Sequence, residues 1–116
     1  MLFERIKEDF YTLKPAAEFC SLRLVQQQDE YLRVRKNQLQ PLHFSEDTGV
    51  MICVIDQNWL GYAGTSDASK AGLQEALHRA VQWARLSQQY RVFDFSRVPM
   101  PHPQGNYVTS VLQSWD

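Results

Sequence analysis

Gly49-Val50-Met51-Ile52-Cys53-Val54-Ile55-Asp56-Gln57-Asn58-Trp59-Leu60-Gly61-Tyr62-Ala63 decides the fold. Its first seven residues are apolar with hardly a break and rich in β-branched side chains, as expected of a strand buried on both faces. Asp56-Gln57-Asn58 supplies a turn, and Trp59 to Ala63 returns as the partner strand. Downstream, Thr65-Ser66-Asp67 opens a helix, with Ser66 or Asp67 as its N-cap. That helix runs from Ala68 to Gln89, with Leu73, Ala76, Leu77, Ala80 and Ala84 on one stripe. Such a stripe packs on a sheet, and its alanines allow close approach. Arg79 and Arg85 fall on the polar side.

Upstream, the period is two. Phe19-Cys20-Ser21-Leu22-Arg23-Leu24-Val25 and Tyr31-Leu32-Arg33-Val34-Arg35 alternate, with polar clusters at Gln26–Glu30 and Lys36–Gln38 between the runs. Pro41 to Phe44 reads as a third, weaker strand, its proline marking a start or an edge. If the first two runs form a hairpin, Leu22 and Leu24 share a core face with Leu32 and Val34. That register requires an odd loop, Gln27-Gln28-Asp29, and gathers Arg23, Arg33 and Arg35 on the opposite face. Ahead of the sheet, Leu2, Phe3, Ile6, Phe10 and Leu13 are spaced as an amphipathic helix over residues 1–14, which Pro15 stops. The expected class is therefore α+β: an N-terminal helix, an antiparallel β-meander of four to five strands, and a long second helix on one sheet face. Residues 1–97 form the domain, with Arg91 to Phe95 as a last short strand. A Pro-rich C-terminal extension over 98–116 reads as a linker or tail.

Composition narrows the chemistry. The 116 residues are 44% hydrophobic, enough for one core, and 12 Lys+Arg against 13 Asp+Glu leave a net charge of -1. A nucleic-acid binder needs excess cations, so that class is set aside and the arginines read as a solvated face. The charged start, Met1-Leu2-Phe3-Glu4-Arg5, has no apolar signal core, and no apolar run could span a bilayer. A cytoplasmic protein without membrane contact is expected, with Cys20 and Cys53 as buried thiols. His43, His78 and His102 form no zinc-peptidase spacing; Glu75 and His78 amount at most to half a ligand set and read as surface helix residues. Gly61 to Asp67 leads into a helix but lacks phosphate-loop spacing, so a capped strand-to-helix turn explains it. No catalytic, cofactor-binding or metal-ligating residue is assigned.

Several of these segments together resemble the N-terminal domain of the TldD/PmbA family of zinc peptidases, also called modulators of DNA gyrase. Phe19-Cys20-Ser21-Leu22-Arg23 is similar to the family's Ala-Asp-Val-Arg strand, and Leu32-Arg33-Val34-Arg35-Lys36-Asn37 to its Leu-x-Val-Arg-Asn-Gly. Gly49 to Ile55 resembles its Gly-Val-x-Val-Arg-Val strand, and Trp59-Leu60-Gly61-Tyr62-Ala63-Gly64-Thr65-Ser66 its Trp-Gly-Phe-Ala-Ser-Thr turn. Ala76 to Arg85 resembles the alanine-rich helix that follows, and Val98 to Tyr107 its Pro-x-Pro exit. Two departures stand out: Asn37-Gln38 replaces Asn-Gly, and the third motif's arginine is missing near Ile52 and Cys53.

The resemblance implies a non-catalytic domain of a dimeric metallopeptidase that cleaves unfolded peptides. The zinc of the family, held by a His-Glu-x-x-x-His motif and a distant cysteine, would belong to a downstream domain, and none is expected in this segment. The domain would wall the substrate cavity or form the subunit interface, with itself or a paralogous subunit as partner. The alternative is a free-standing module that binds an extended peptide or another protein.

Overall fold

A computed structural model describes residues 1–90 and 92–114. The chain runs α1 (Leu2–Leu13), β1 (Phe19–Tyr31), β2 (Val34–Arg35), β3 (Gln38–Leu39), β4 (His43–Asp56), β5 (Trp59–Thr65) and α2 (Lys70–Leu86). Short 3₁₀ turns follow at Ser87–Tyr90 and Phe95–Arg97. The class is α+β, with two helices on an antiparallel sheet. Strand pairing departs from a simple meander. β1, β4 and β5 form one sheet with β4 in the middle, and β2 pairs β3 in a separate hairpin.

Register explains the core. Cys20, Leu22 and Leu24 of β1 lie opposite Val54, Ile52 and Val50 of β4, which in turn face Gly61, Ala63 and Thr65 of β5. In a strand alternate residues share a face, so these residues form the side that the helices cover. Val50, Ile52, Val54, Ala63, Leu73, Ala76, Leu77 and Ala80 join Ile6 of α1 in one buried cluster. The alanine stripe of α2 therefore packs as its spacing predicts.

Five expectations need correction. β1 does not turn back at Gln27-Gln28-Asp29; it runs on to Tyr31 and pairs with β4 throughout. Gln26–Glu30 mimic a loop because both faces of this stretch meet water, so polarity there marks solvent exposure and no chain reversal. Leu32 and Val34 consequently leave the core and are 63% and 65% exposed. Second, Pro41–Phe44 is no separate strand: His43 and Phe44 open the 14-residue β4.

Third, β4 is buried on both faces only at its C-terminal end: the helical face is buried from Val50 to Val54, but on the other face Met51 is 46% exposed and burial is reached only at Ile55, 2% exposed. Fourth, the N-cap of α2 is Ser69, whose hydroxyl accepts a hydrogen bond from the Gly72 amide at 3.1 Å. Ser66 and Asp67 lie in the preceding turn. Fifth, residues 92–94 form no strand; Asp94 caps the 3₁₀ turn by accepting from the Ser96 amide at 3.0 Å. Arg91, where that strand was to begin, and the tail's Trp115 and Asp116 lie outside the described residues.

The two tight turns share a chemistry. Gln57 and Asn58 have φ of 51° and 68°, and Lys36 and Asn37 have 51° and 61°. Two-residue hairpin loops with both residues left-handed match the strand twist, and asparagine tolerates that region better than most residues. The Asn37-Gln38 pair thus sits one residue past the turn's centre, which falls on Lys36-Asn37.

Candidate interaction surface

β5 pairs with β4 only from Val50 to Asp56, whereas β1 continues alongside β4 down to Tyr31 and His43. Beyond Val50 the sheet therefore becomes a two-stranded ribbon, from Gln26 opposite Thr48 to Tyr31 opposite His43. Six residue pairs at the antiparallel rise extend about 20 Å. The β2–β3 hairpin tips this arm, with the Gln40 amide donating to the Arg33 carbonyl at 2.8 Å. The molecule measures 60 × 32 × 26 Å.

A two-stranded ribbon has no third layer on which to bury side chains. Yet Tyr31, Leu32, Val34, Leu39, Leu42 and Phe44 gather at its end, and each is more than half exposed. Charge on the arm is segregated. Asp29, Glu30, Glu46 and Asp47 occupy the stem, and Arg33, Arg35 and Lys36 the tip, all exposed. The stem carboxylates accept from glutamines, Gln27 to Asp29 at 2.9 Å and Gln28 to Glu46 at 3.4 Å. The ion pairs of the described residues lie elsewhere, at Arg5–Asp9 and Arg97–Asp94.

The arginines expected on one face are not brought together. Arg23 lies on the open face of the main sheet opposite Met51, Arg35 sits in the hairpin opposite Gln38, and Arg33 lies between strands. Sequence reasoning missed the arm because it took the glutamine run for a turn. The legible signal was the lack of any Gly, Pro or Asn within Gln26–Glu30.

The strand-to-helix turn is closed by its own hydrogen bonds. Thr65 Oγ1 accepts from the Asp67 amide at 3.0 Å, and Asp67 Oδ1 accepts from the Ser69 amide at 3.0 Å. Hydrogen bonding from the Ser69 hydroxyl and amide holds the Asp67 carboxyl below its ordinary range. A resident carboxylate thus occupies the helix N-terminus where an anion would sit. Arg5 reaches the Ala68 carbonyl at 2.8 Å and Arg79 the Gly64 carbonyl at 3.0 Å, fixing the turn from both helices.

The thiols lie on opposite faces of the sheet, since Cys20 faces Val54 and Ser21 faces Cys53. Burial pushes the Cys20 thiol up to about 11, with Lys14 pulling it down and Cys53 adding a smaller rise. Burial also raises Cys53. Glu75 and His78 are exposed on α2. His102 lies tilted against the Phe19 ring with centroids 5.6 Å apart, and Gln104 donates to the Tyr11 hydroxyl at 3.0 Å, tying the tail to the start of the sheet and to α1. A shallow hollow lined by Trp59, Leu60, Tyr90, Phe93 and Phe95 lies at the β4–β5 turn.

A family model described as PmbA/TldA metallopeptidase domain 1 matches residues 20–84, more than half of the chain and every element from β1 into α2. The chain belongs to this family. No curated protein matches the sequence. Membership in a metallopeptidase family implies a metal, and the donors can be tested against it. Among the described residues, no group of three or more His, Cys, Asp or Glu side chains is placed to hold one. The described side chains do not fit such a site. Among the same residues, no helix is long and apolar enough to cross a membrane.

Within the matched segment, the packing of α2 gives Gly61 a physical reason. A Cβ there would run into the Ala80 carbonyl and the Ala84 amide, and would lie 2.9 Å from the Ala84 Cα. Only glycine lets α2 settle this closely on β5. The PmbA/TldA match and the close packing of α2 on β5 thus fall on the same segment.

Proposed function

We propose that this chain is the non-catalytic N-terminal domain of a TldD/PmbA-like zinc metallopeptidase that acts on unfolded peptides in the cytoplasm. The domain contributes to the substrate cavity or to a dimer interface, with itself or a paralogous subunit as partner. Residues 98–116 lead toward a downstream domain that carries the zinc. One observation carries the reading beyond family membership: the arm presents six large apolar side chains that its own fold cannot cover. Apolar side chains gathered on an exposed projection favour contact with another surface. Two measurements test this. The chain with added zinc is expected to leave an unfolded peptide uncleaved, and zinc-dependent cleavage would overturn the non-catalytic role. The reading frame beyond Asp116 is expected to encode a His-Glu-x-x-x-His motif, and an immediate stop codon would favour the free-standing binding module instead. That second reading rests on the outer edge of β1, which ends the main sheet and leaves backbone groups for an extended peptide.

A further inference from the structure

α1 is lightly secured for a helix that opens the fold. At 12 residues it stands at the length below which isolated helices are marginal in water. Met1 supplies no side-chain cap, and Ile6, in the first half, is the residue the helix buries fully. In the second half, Tyr11 is 49% exposed, yet its ring is flanked within the helix. The Phe10 ring lies 5.9 Å away, and the Lys14 ammonium sits over the Tyr11 ring at 5.6 Å. The hydroxyl so positioned accepts from Gln104, 93 positions downstream, at 3.0 Å. Two residues before Gln104, His102 lies against Phe19, where β1 begins. Met100 is half-buried as well. Past Gly105 the tail is open again, with Tyr107 and Val108 84% and 80% exposed.

The segment has the chemistry of a docked strand. Pro101 and Pro103 fix their own φ and bias the residues before them, Met100 and His102, toward extended backbone. A proline-rich chain held extended in this way has little freedom to lose and suits aromatic surfaces. Once one contact has closed so long a loop, a second contact two residues away adds little closure cost. We propose that Tyr11 and Phe19 form a docking platform for residues 100–104 of the same chain, and that the docked segment latches the C-terminal half of α1 to the start of β1. Such coupling is reciprocal: ordering the segment secures α1, and drawing the segment away loosens it. The latch stands whether or not a further domain follows.

Nuclear magnetic resonance relaxation and amide hydrogen exchange on the full chain test the latch. In the wild type, the His102 and Gln104 amides should show order parameters near the rigid value of about 0.85, and Val108 and Leu112 below about 0.6. H102A/Q104A should drop the segment to the mobile value. It should also speed exchange of the Thr12, Leu13 and Lys14 amides at least about fivefold, leaving Ile52 and Val54 unchanged. Tyr11→Phe, which removes the acceptor and keeps the ring, should act in the same direction from the other side. V108S/L112S, beyond the docked stretch, should move neither readout. All these positions are exposed, so each variant should keep the fold, checked by circular dichroism. Wild-type His102 and Gln104 as mobile as Val108 would overturn the platform. A segment freed by H102A/Q104A with α1 exchange unchanged would overturn the latch, as would faster exchange spread equally into β4.

Discussion

Gly61 of β5 lies directly beneath Ala80 of α2, so close that a methyl group on the strand would collide with the helix backbone. The relationship sets the depth of the helix on the sheet, and with it the sealing of Ile52, Leu73 and Ala76, each with no exposed surface. Gly61→Ala must therefore push α2 outward. Overpacking of this kind costs about 1–3 kcal/mol, and backbone against backbone belongs at the upper end. Gly64→Ala is the control, because its Cβ would meet Met51 and Val50 at an ordinary 3.6 Å. Urea unfolding should show a large drop in midpoint for the first variant and little change for the second.

The turn into α2 predicts a cap and a pH response. Ser69→Ala removes the acceptor for the Gly72 amide and should cost about 1 kcal/mol, read as a lower unfolding midpoint. Asp67 has a depressed carboxyl, so the folded state holds its proton less tightly than the unfolded chain. Its contribution is then fully present above the ordinary carboxyl value of 3.8 and disappears as pH falls through the lower folded value. Asp67→Asn should flatten the part of the stability profile that lies below the ordinary carboxyl value of 3.8 and leave the neutral region parallel to wild type.

How much of this was legible depends on whether a residue's reason lies inside the fold. α2 could be read from spacing because Leu73, Ala76, Leu77, Ala80 and Ala84 all face one core. The Asp56–Trp59 turn was legible from its side chains, and the helix of residues 1–14 from Ile6 and its neighbours. The arm was not, because Gln26–Glu30 face water on both sides and carry no period. Where no face is buried, alternation has nothing to report. For the same reason Leu32 and Val34 looked like core residues: they alternate as core residues do, although they are exposed in this chain. Nor could spacing alone assign Gly61 its role, since the close approach of α2 involves a residue nineteen positions downstream.

The cysteines yield a reactivity order. Both thiols are held protonated by burial, Cys20 up to about 11 and Cys53 raised from 9.0. The thiolate is the reactive form, so at neutral pH both should label far more slowly in the folded chain than in urea. Cys53 should lead, because it lies on the sheet face left open beside Met51, whereas Cys20 lies on the face that the helices cover. Alkylation followed by mass spectrometry measures the order, and faster labelling of Cys20 would contradict the register. A group whose folded value is raised stabilises the fold below its unfolded value. That contribution from Cys20 should therefore fade as pH climbs from 9.0 toward about 11.

The tip of the arm should prove dispensable for folding. Leu32 and Leu42 are 63% and 54% exposed, so replacing both by serine removes little buried surface. Surface changes of this kind stay within about 0.5 kcal/mol. Ile52, with no exposed surface at the centre of β4, should behave oppositely, and Ile52→Ala should cost about 2–5 kcal/mol. Thermal unfolding of the two variants should then differ by many degrees while the far-ultraviolet spectra remain those of the α+β fold. If the tip variant were as unstable as the core variant, Leu32 and Leu42 would have to be packed within the chain, against their exposure. With stability unchanged, any loss of binding in the tip variant reports on contact with another surface and on nothing within the domain's own fold.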